Sequence, residues 1–141
     1  MPAAERPAWS REVGAITLFV EDLQRSKQFY GDVFDVPIVY EDDNSAVFQF
    51  GSAMVNLLAA TEAPSLIEPA PVAGAGAGSR MQLSIFVDDV DAVWADLAGR
   101  GVEFVNGPMD REWGMRTACF ADPGGHIWEL AQELAPAPRQ P

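Results

Sequence analysis

The chain contains the same kind of segment twice. Residues 15–23 read AITLFVEDL and residues 82–90 read QLSIFVDDV, at a constant offset along the sequence. In each copy an alternating run ends in two acidic residues and leads into a helical stretch. Two copies indicate a duplicated supersecondary module, because a solenoid needs three or more repeats to bury a core. We therefore expect two similar half-sheets that face each other across a cleft, and we expect the function in that cleft.

Composition narrows the class of protein. The 141 residues fit one compact domain or two small modules that share a core, and 48% hydrophobic residues are ample for such a core. A net charge of −12 argues against nucleic acid, whose phosphates would be repelled. The same charge mildly favours a cationic ligand, although surface acids that serve only solubility are commonplace and are the more usual explanation.

Location is also constrained by the sequence. Cys119 is the one cysteine, so an intrachain disulfide is excluded and a cytoplasmic setting is the default expectation. No run of residues has the apolar length that a membrane span needs. Residues 1–12 are too polar and too rich in proline for a signal peptide.

Strand and helix patterns predict the same order of elements in both halves. In the first half a strand at 14–20 precedes a helix that Asp22 caps and that continues to Phe34. Three strands then follow, at 37–41, 45–50 and 53–59.

The second half repeats this order. A strand at 81–87 precedes a helix that Asp89 or Asp91 caps and that ends at Gly99 or Gly101. Three strands are predicted after it, at 102–105, 115–121 and 126–131. The chain therefore divides into a lead-in at 1–12, a first module at 13–60, a Pro-, Ala- and Gly-rich linker at 61–79, a second module at 80–132 and a disordered tail at 133–141.

Strand alternation predicts which side chains face the cleft. A three-residue loop at 123–125 would pair Cys119 with Glu129, both inward, and Phe120 with Trp128, both in the core. A slip of one residue would invert this assignment. The side chains predicted to line the cleft are Thr17, Phe19, Phe48, Met54, Asn56, Gln82, Ser84, Phe86, Trp113, Met115, Thr117, Cys119 and Glu129.

The order of elements and three local motifs resemble the vicinal oxygen chelate superfamily. The motifs are VEDLQRS leading to Phe29-Tyr30, WGMR at 113–116, and DPGGH at 122–126 followed by Trp128-Glu129-Leu130. That superfamily includes glyoxalase I, extradiol dioxygenases, and fosfomycin and bleomycin resistance proteins. The resemblance implies an α+β fold of two βαβββ modules, whose curved mixed sheets enclose a cavity, commonly in a homodimer. The modules then pair within one chain or between two chains.

The resemblance also implies where a metal would bind. By motif alignment the four ligand positions of metal-dependent members fall at Ala15, Asn56, Gln82 and Glu129. Glu129 is the one strong ligand, since Gln82 and Asn56 offer neutral amides and Ala15 offers nothing. We therefore expect no cofactor and no tight transition metal, and at most a weak divalent cation site completed by water.

Several candidate residues have a simpler interpretation beside the functional one. Strand direction turns His126 away from Glu129, so we interpret it as a turn-edge residue. Cys119 has no inward histidine to activate it and is interpreted as a small apolar residue. Strand alternation turns the side chain of Arg116 away from the cleft, which suggests a surface ion pair. Glu129 is either a general base among apolar groups or a residue inherited with the fold.

These expectations favour a metal-independent protein that binds a small, antibiotic-like molecule, as the bleomycin-resistance branch does. Apolar and aromatic walls with a few polar groups suit such a ligand, which is cationic or aromatic in this interpretation. The alternative is a glyoxalase- or dioxygenase-type enzyme with a degenerate metal site centred on Glu129. A purely structural module would leave the inward Glu129 without a purpose.

Overall fold

A computed structural model describes residue 8 and residues 10–135 of the chain. The first module contains strand β1 (Ala15–Val20), helix α1 (Leu23–Phe34) and strands β2 (Ile38–Glu41), β3 (Ser45–Phe50) and β4 (Ala53–Ala59). The second contains β5 (Gln82–Phe86), helix α3 (Val90–Gly99) and strands β6 (Phe104–Asp110), β7 (Met115–Ala121) and β8 (Ile127–Glu133). Between them lies a four-residue helix α2 (Pro64–Ile67). The predicted α+β fold of two βαβββ modules is confirmed.

Each module builds one four-stranded mixed sheet of the same topology. Sheet 1 has the order β1-β4-β3-β2, and sheet 2 has the order β5-β8-β7-β6. In both sheets the first strand runs parallel to the last, and the other neighbours are antiparallel. The sheets are curved but not closed.

The two long helices begin for the same local reason. Asp22 and Asp89 have extended backbones, and their carboxylates accept hydrogen bonds from the backbone N–H of Arg25 and Ala92, both at 3.1 Å. Each cap satisfies an N–H that has no partner within the helix. Asp89 rather than Asp91 is therefore the cap of α3.

Helix α1 lies between the two sheets and contacts both. Tyr30 packs against Phe48 of sheet 1 at 5.7 Å and against Trp128 of sheet 2 at 6.0 Å, measured between ring centroids. Phe34 lies 4.6 Å from Trp128, and Phe50 of β3 stacks on that same indole at 5.4 Å. One hydrophobic core therefore joins the modules, and neither sheet buries its apolar face alone.

The registers of the last hairpin agree with the sequence-based prediction. Cys119 pairs with Glu129, and Phe120 pairs with Trp128. Phe120 and Trp128 are buried in the core as expected. Gly125 has φ of 89°, a conformation that favours glycine and that allows the short connection between β7 and β8.

Several boundaries differ from those predicted. Strand β6 starts at Phe104 and runs to Asp110, past the predicted end at 105, and β8 runs to Glu133, the first residue of the predicted tail. The linker is not structureless, because it holds α2 and short 3₁₀ turns at Ala60–Glu62 and Ala75–Ala77. The predicted tail beyond residue 135 and the lead-in at residues 1–7 and 9 lie outside the described residues.

Within the described part of the chain, no helix combines the length and apolarity that crossing a bilayer requires.

Candidate functional site

The shared core decides where the predicted site residues point. Strand side chains alternate between two faces, and the faces that carry Phe50 and Trp128 meet in the core. The opposite faces, which carry Asn56 in sheet 1 and Glu129 in sheet 2, therefore point away from that core. We call these the outer faces of sheets 1 and 2. Within one chain they do not face each other across a cleft. Of the two pairings that the sequence left open, within one chain or between two chains, the structure therefore does not show the first.

The outer face of sheet 1 has a buried acceptor without a partner. Thr17, Asn56 and Val47 lie side by side across three strands. The Oδ1 atom of Asn56 is buried and receives no hydrogen bond from any described residue. An unsatisfied buried acceptor costs about 1–3 kcal/mol, so this face lacks a donor that a ligand or a second chain would supply.

The outer face of sheet 2 carries a row of polar side chains in mutual contact. Ser84 pairs with Glu129, which pairs with Cys119 on the next strand. The hydroxyl of Ser84 donates to Oε1 of Glu129 at 2.9 Å. The side-chain amide of Gln82 donates to Sγ of Cys119 at 3.3 Å. The row is thus fixed in place by its own hydrogen bonds and is preorganised for a ligand.

Arg111 adds a positive charge to this face. It follows β6 in the turn to β7, where its backbone N–H donates to the carbonyl of Met115 at 2.7 Å. Its Nε donates to Oγ1 of the buried Thr117 at 3.0 Å, so the side chain folds back over the sheet. Arg111 is not among the predicted site residues, because a turn residue has no periodicity that assigns its side chain to a face.

Two aromatic side chains lie exposed beside the polar row. Phe86 on β5 is 77% exposed and Trp113 in the β6–β7 turn is 70% exposed. The Trp113 ring lies 5.9 Å from the guanidinium carbon of Arg111, which is within cation–π range. Large apolar side chains that stay exposed next to fixed polar groups are typical of binding surfaces.

Cys119 is a poor nucleophile in this setting. Burial raises the pKa of its thiol above the usual range, and the nearby carboxylate of Glu129 raises it further. The amide of Gln82 and the charge of Arg111 lower the pKa but do not reverse the direction. The thiol therefore stays protonated at neutral pH, in agreement with its interpretation as a small apolar residue.

A separate cavity of about 340 Å³ lies between β1, the linker and the β7–β8 turn. Thr17 and Phe19 line it from β1, and Arg80 and His126 line it from the other sides. The predicted site residues of β5, β7 and β8 do not line it. Of the predicted site residues, only Thr17 and Phe19 line this cavity.

His126 and Arg116 have structural partners, as the sequence analysis expected. The carboxylate of Asp122 accepts from the backbone N–H of His126 at 2.8 Å and lies 3.1 Å from its Nδ1. Arg116 forms ion pairs with Asp91 at 2.8 Å and Asp110 at 3.0 Å, which connect β7 to α3 and β6. Neither side chain faces Glu129.

Phe48 was wrongly included among the cleft-lining residues. It pairs with the buried Val55 and is itself fully buried against Tyr30. Its parity therefore places it on the core face of sheet 1. Met54, on the outer face of sheet 1, and Met115, at the start of β7, are both half-buried.

Comparison with known proteins identifies the family. A family model described as the Glyoxalase/Bleomycin resistance protein/Dioxygenase superfamily matches residues 12–130. The chain belongs to this superfamily. The uncharacterized protein YraH of Bacillus subtilis (strain 168) is 32% identical over 123 residues, which are 84% of this chain and 96% of YraH.

Solved structures share the fold of this chain. A protein of unknown function from Agrobacterium tumefaciens is 30% identical and superposes with a TM-score of 0.72, covering 90% of this chain and 97% of that one. A glyoxalase/bleomycin resistance protein/dioxygenase from Nocardioides is 21% identical with a TM-score of 0.82, covering 97% of this chain and 93% of that one.

The superfamily's metal positions do not fit a transition metal in this chain. Ala15 and Asn56 lie on sheet 1, whereas Gln82 and Glu129 lie on sheet 2, and the set supplies a single carboxylate. The amide of Gln82 is already engaged with Cys119, and Glu129 is engaged with Ser84. Among the described residues, no three His, Cys, Asp or Glu side chains are grouped as metal ligands. Imidazoles, thiolates or several carboxylates would be needed for Fe, Ni or Zn.

Proposed function

We propose that the protein binds a small, planar, antibiotic-like molecule without a metal, and that the outer face of sheet 2 is its binding surface. The observation that carries this proposal is the polar row of Ser84, Glu129 and Cys119 beside the exposed rings of Phe86 and Trp113. Apolar walls with a few fixed polar groups are the usual composition of small-molecule sites. An indole and a phenyl ring can stack on a flat ligand.

We also propose that a second copy of the chain completes the site. Both outer faces point away from the chain's own core. Sheet 1 has a buried acceptor on its outer face, and sheet 2 has an exposed aromatic ring. The side-chain oxygen of Asn56 has no donor among the described residues, and Phe86 is left 77% exposed. Facing copies related by a twofold axis would place sheet 1 of one chain opposite sheet 2 of the other and would enclose both faces.

The test is a thermal-shift screen of planar aromatic compounds, run on three proteins. The wild type is compared with the double variant Phe86→Ala/Trp113→Ala and with Leu66→Ala, which removes a 66% exposed apolar side chain from the linker. Compounds that raise the melting temperature of the wild type should do so equally in Leu66→Ala. They should have no effect on the double variant, because it lacks both stacking surfaces.

Compounds that stabilise the double variant as much as the wild type would place the site elsewhere. Circular dichroism of the double variant shows whether its fold is intact. Consumption of a bound compound that stops with Glu129→Gln would instead support the enzyme alternative centred on that carboxylate.

A further inference from the structure

The guanidinium of Arg111 is fixed over the outer face of sheet 2. Its Nε donates to Thr117 at 3.0 Å, and Nη2 lies 3.5 Å from the side-chain oxygen of Asn106. Asn106 pairs with Cys119, and Thr117 lies two residues before Cys119 on the same face. The charge of Arg111 is therefore held next to Cys119, in line with the polar row.

Among the described residues this charge has no carboxylate partner, although the chain as a whole has 21 acidic residues. Within the described residues, no carboxylate oxygen lies within 4.0 Å of Arg111. By contrast Arg116 pairs with Asp91 and Asp110, and Arg100 pairs with Asp96. In so acidic a protein, a half-buried arginine that is hydrogen-bonded into place but not neutralised is available for an external anion.

Glu129 lies on the same face of sheet 2 as the Arg111 side chain but on β8, whereas Arg111 follows β6. The face therefore carries a positive charge at one position and a negative charge at another. The strand of Glu129 and that of Asn106 are separated by β7, and neighbouring strands are about 4.8 Å apart. The positive end near β6 and the negative end on β8 are therefore about 10 Å apart, roughly the length of a substituted aromatic ring system. An acidic group next to Glu129 would be repelled, so it must lie at the Arg111 end.

We propose that Arg111 determines ligand specificity by binding the acidic group of an aromatic ligand whose ring lies against Trp113. The inference rests on the proposed function and names the chemical class of its ligand, an aromatic carboxylate or sulfonate. The planar guanidinium binds the two oxygens of such a group, while it stays within cation–π distance of the indole. The negative net charge of the protein selects against other anions, and Arg111 overcomes that repulsion locally.

The test uses two planar dyes of opposite charge, 1-anilinonaphthalene-8-sulfonate and the cation thioflavin T. Each dye is titrated by fluorescence into the full-length wild type and into Arg111→Gln, Arg111→Lys and Trp113→Ala. Arg25→Gln, which removes the same charge from an exposed position on α1, is the matched control. Circular dichroism melting curves verify that each variant is folded.

Loss of a charge-assisted contact should weaken binding of the anionic dye about tenfold or more in Arg111→Gln. The cationic dye should bind that variant as well as, or better than, the wild type. Arg111→Lys should restore part of the anion affinity, since it keeps the charge but not the planar pair of donors. Arg25→Gln should bind both dyes like the wild type.

Two other outcomes separate this inference from the proposed function. If Trp113→Ala weakens both dyes but Arg111→Gln leaves the anionic dye unaffected, the aromatic site stands and the role of Arg111 is refuted. If the wild type binds neither dye, or if Trp113→Ala binds both as well as the wild type, the outer face of sheet 2 is not the site and both proposals fail.

Discussion

Tyr30 joins the two modules through buried hydrogen bonds. Its hydroxyl donates to Oδ2 of Asp122 at 2.6 Å and accepts from Nε1 of Trp128 at 3.0 Å. Burial, and then the charge of Asp122, raise the pKa of Tyr30 far above its ordinary value, so the phenol is a donor at every working pH. The network satisfies the carboxylate of Asp122, which is only 4% exposed.

Tyr30→Phe should therefore destabilise the fold by about 2 kcal/mol, because it leaves a buried carboxylate short of one donor. Urea denaturation measures the change in unfolding free energy. Tyr40→Phe is the matched control, since that exposed phenol also donates to a carboxylate, that of Asp42 at 2.8 Å. Equal losses in the two variants would show that the Tyr30 network contributes nothing beyond a surface contact.

The pH dependence of Cys119 alkylation tests the electrostatics of the outer face of sheet 2. Burial and the Glu129 carboxylate both raise the thiol pKa, so reaction with iodoacetamide should require a higher pH than for a free thiol. Glu129→Gln removes a negative charge that disfavours the thiolate and should shift the rate profile to lower pH. Glu133→Gln, further along the same strand, should leave it unchanged. If the alkylation rate of Glu129→Gln depends on pH as that of the wild type does, the placement of that carboxylate beside the thiol is contradicted.

Strand β6 shows why one element was placed incorrectly from sequence. The predicted strand ends at residue 105, and neither Gly107 nor Pro108, which follow, favours a regular ladder. In the structure they lie where the pairing register shifts between Asn106 and Met109, so the strand continues past them to Asp110. A bulge of this kind is decided by the partner strand, which a local pattern does not contain.

Gly107→Ala should be among the most damaging single substitutions in the second module. Gly107 has φ of 82°, and an added Cβ would lie 2.3 Å from the carbonyl oxygen of Thr117 and 2.7 Å from Cα of Ala118. Backbone on the opposing strand cannot move aside cheaply, so we expect a loss of about 3 kcal/mol in denaturant titrations.

Gly51→Ala is the control for the dihedral angle alone. Gly51 also has a positive φ, of 56°, but nothing lies within 4 Å of an added Cβ. Its loss should be about 1 kcal/mol. Similar losses of unfolding free energy in Gly107→Ala and Gly51→Ala would mean that the close approach of β6 to β7 is not rigid.

At the scale of the whole molecule, local patterns predicted the modules but not how they face each other. The alternation of apolar residues identified Phe120 and Trp128 as core residues, and the short turn at 123–125 fixed the Cys119–Glu129 pairing. Hydrophobic periodicity predicts that a side chain is buried, but it does not identify the side chains that pack against it. That α1 packs on both sheets depends on contacts between distant segments, such as Phe34 with Trp128, and these contacts turn the outer faces away from the shared core.

The molecule should accordingly be a homodimer in solution. Light scattering should give about twice the chain mass of 15.2 kDa at micromolar concentration. Phe86→Arg should shift the population to monomer, because it introduces a charge into the enclosed face. Leu66→Arg, an equally drastic change on the exposed linker, should not. A wild type that is monomeric at these concentrations would refute completion of the site by a second copy.

The most direct measurement of the central claim is ligand binding by metal-free protein. Wild type dialysed exhaustively against EDTA is titrated with the anionic dye or with the screened compound that stabilises it most. We expect a saturable change in fluorescence with the affinity of the untreated protein, because one carboxylate and two amides form no transition-metal site. Loss of binding on chelation, restored by Ni²⁺ or Zn²⁺ and abolished by Glu129→Gln, would contradict it.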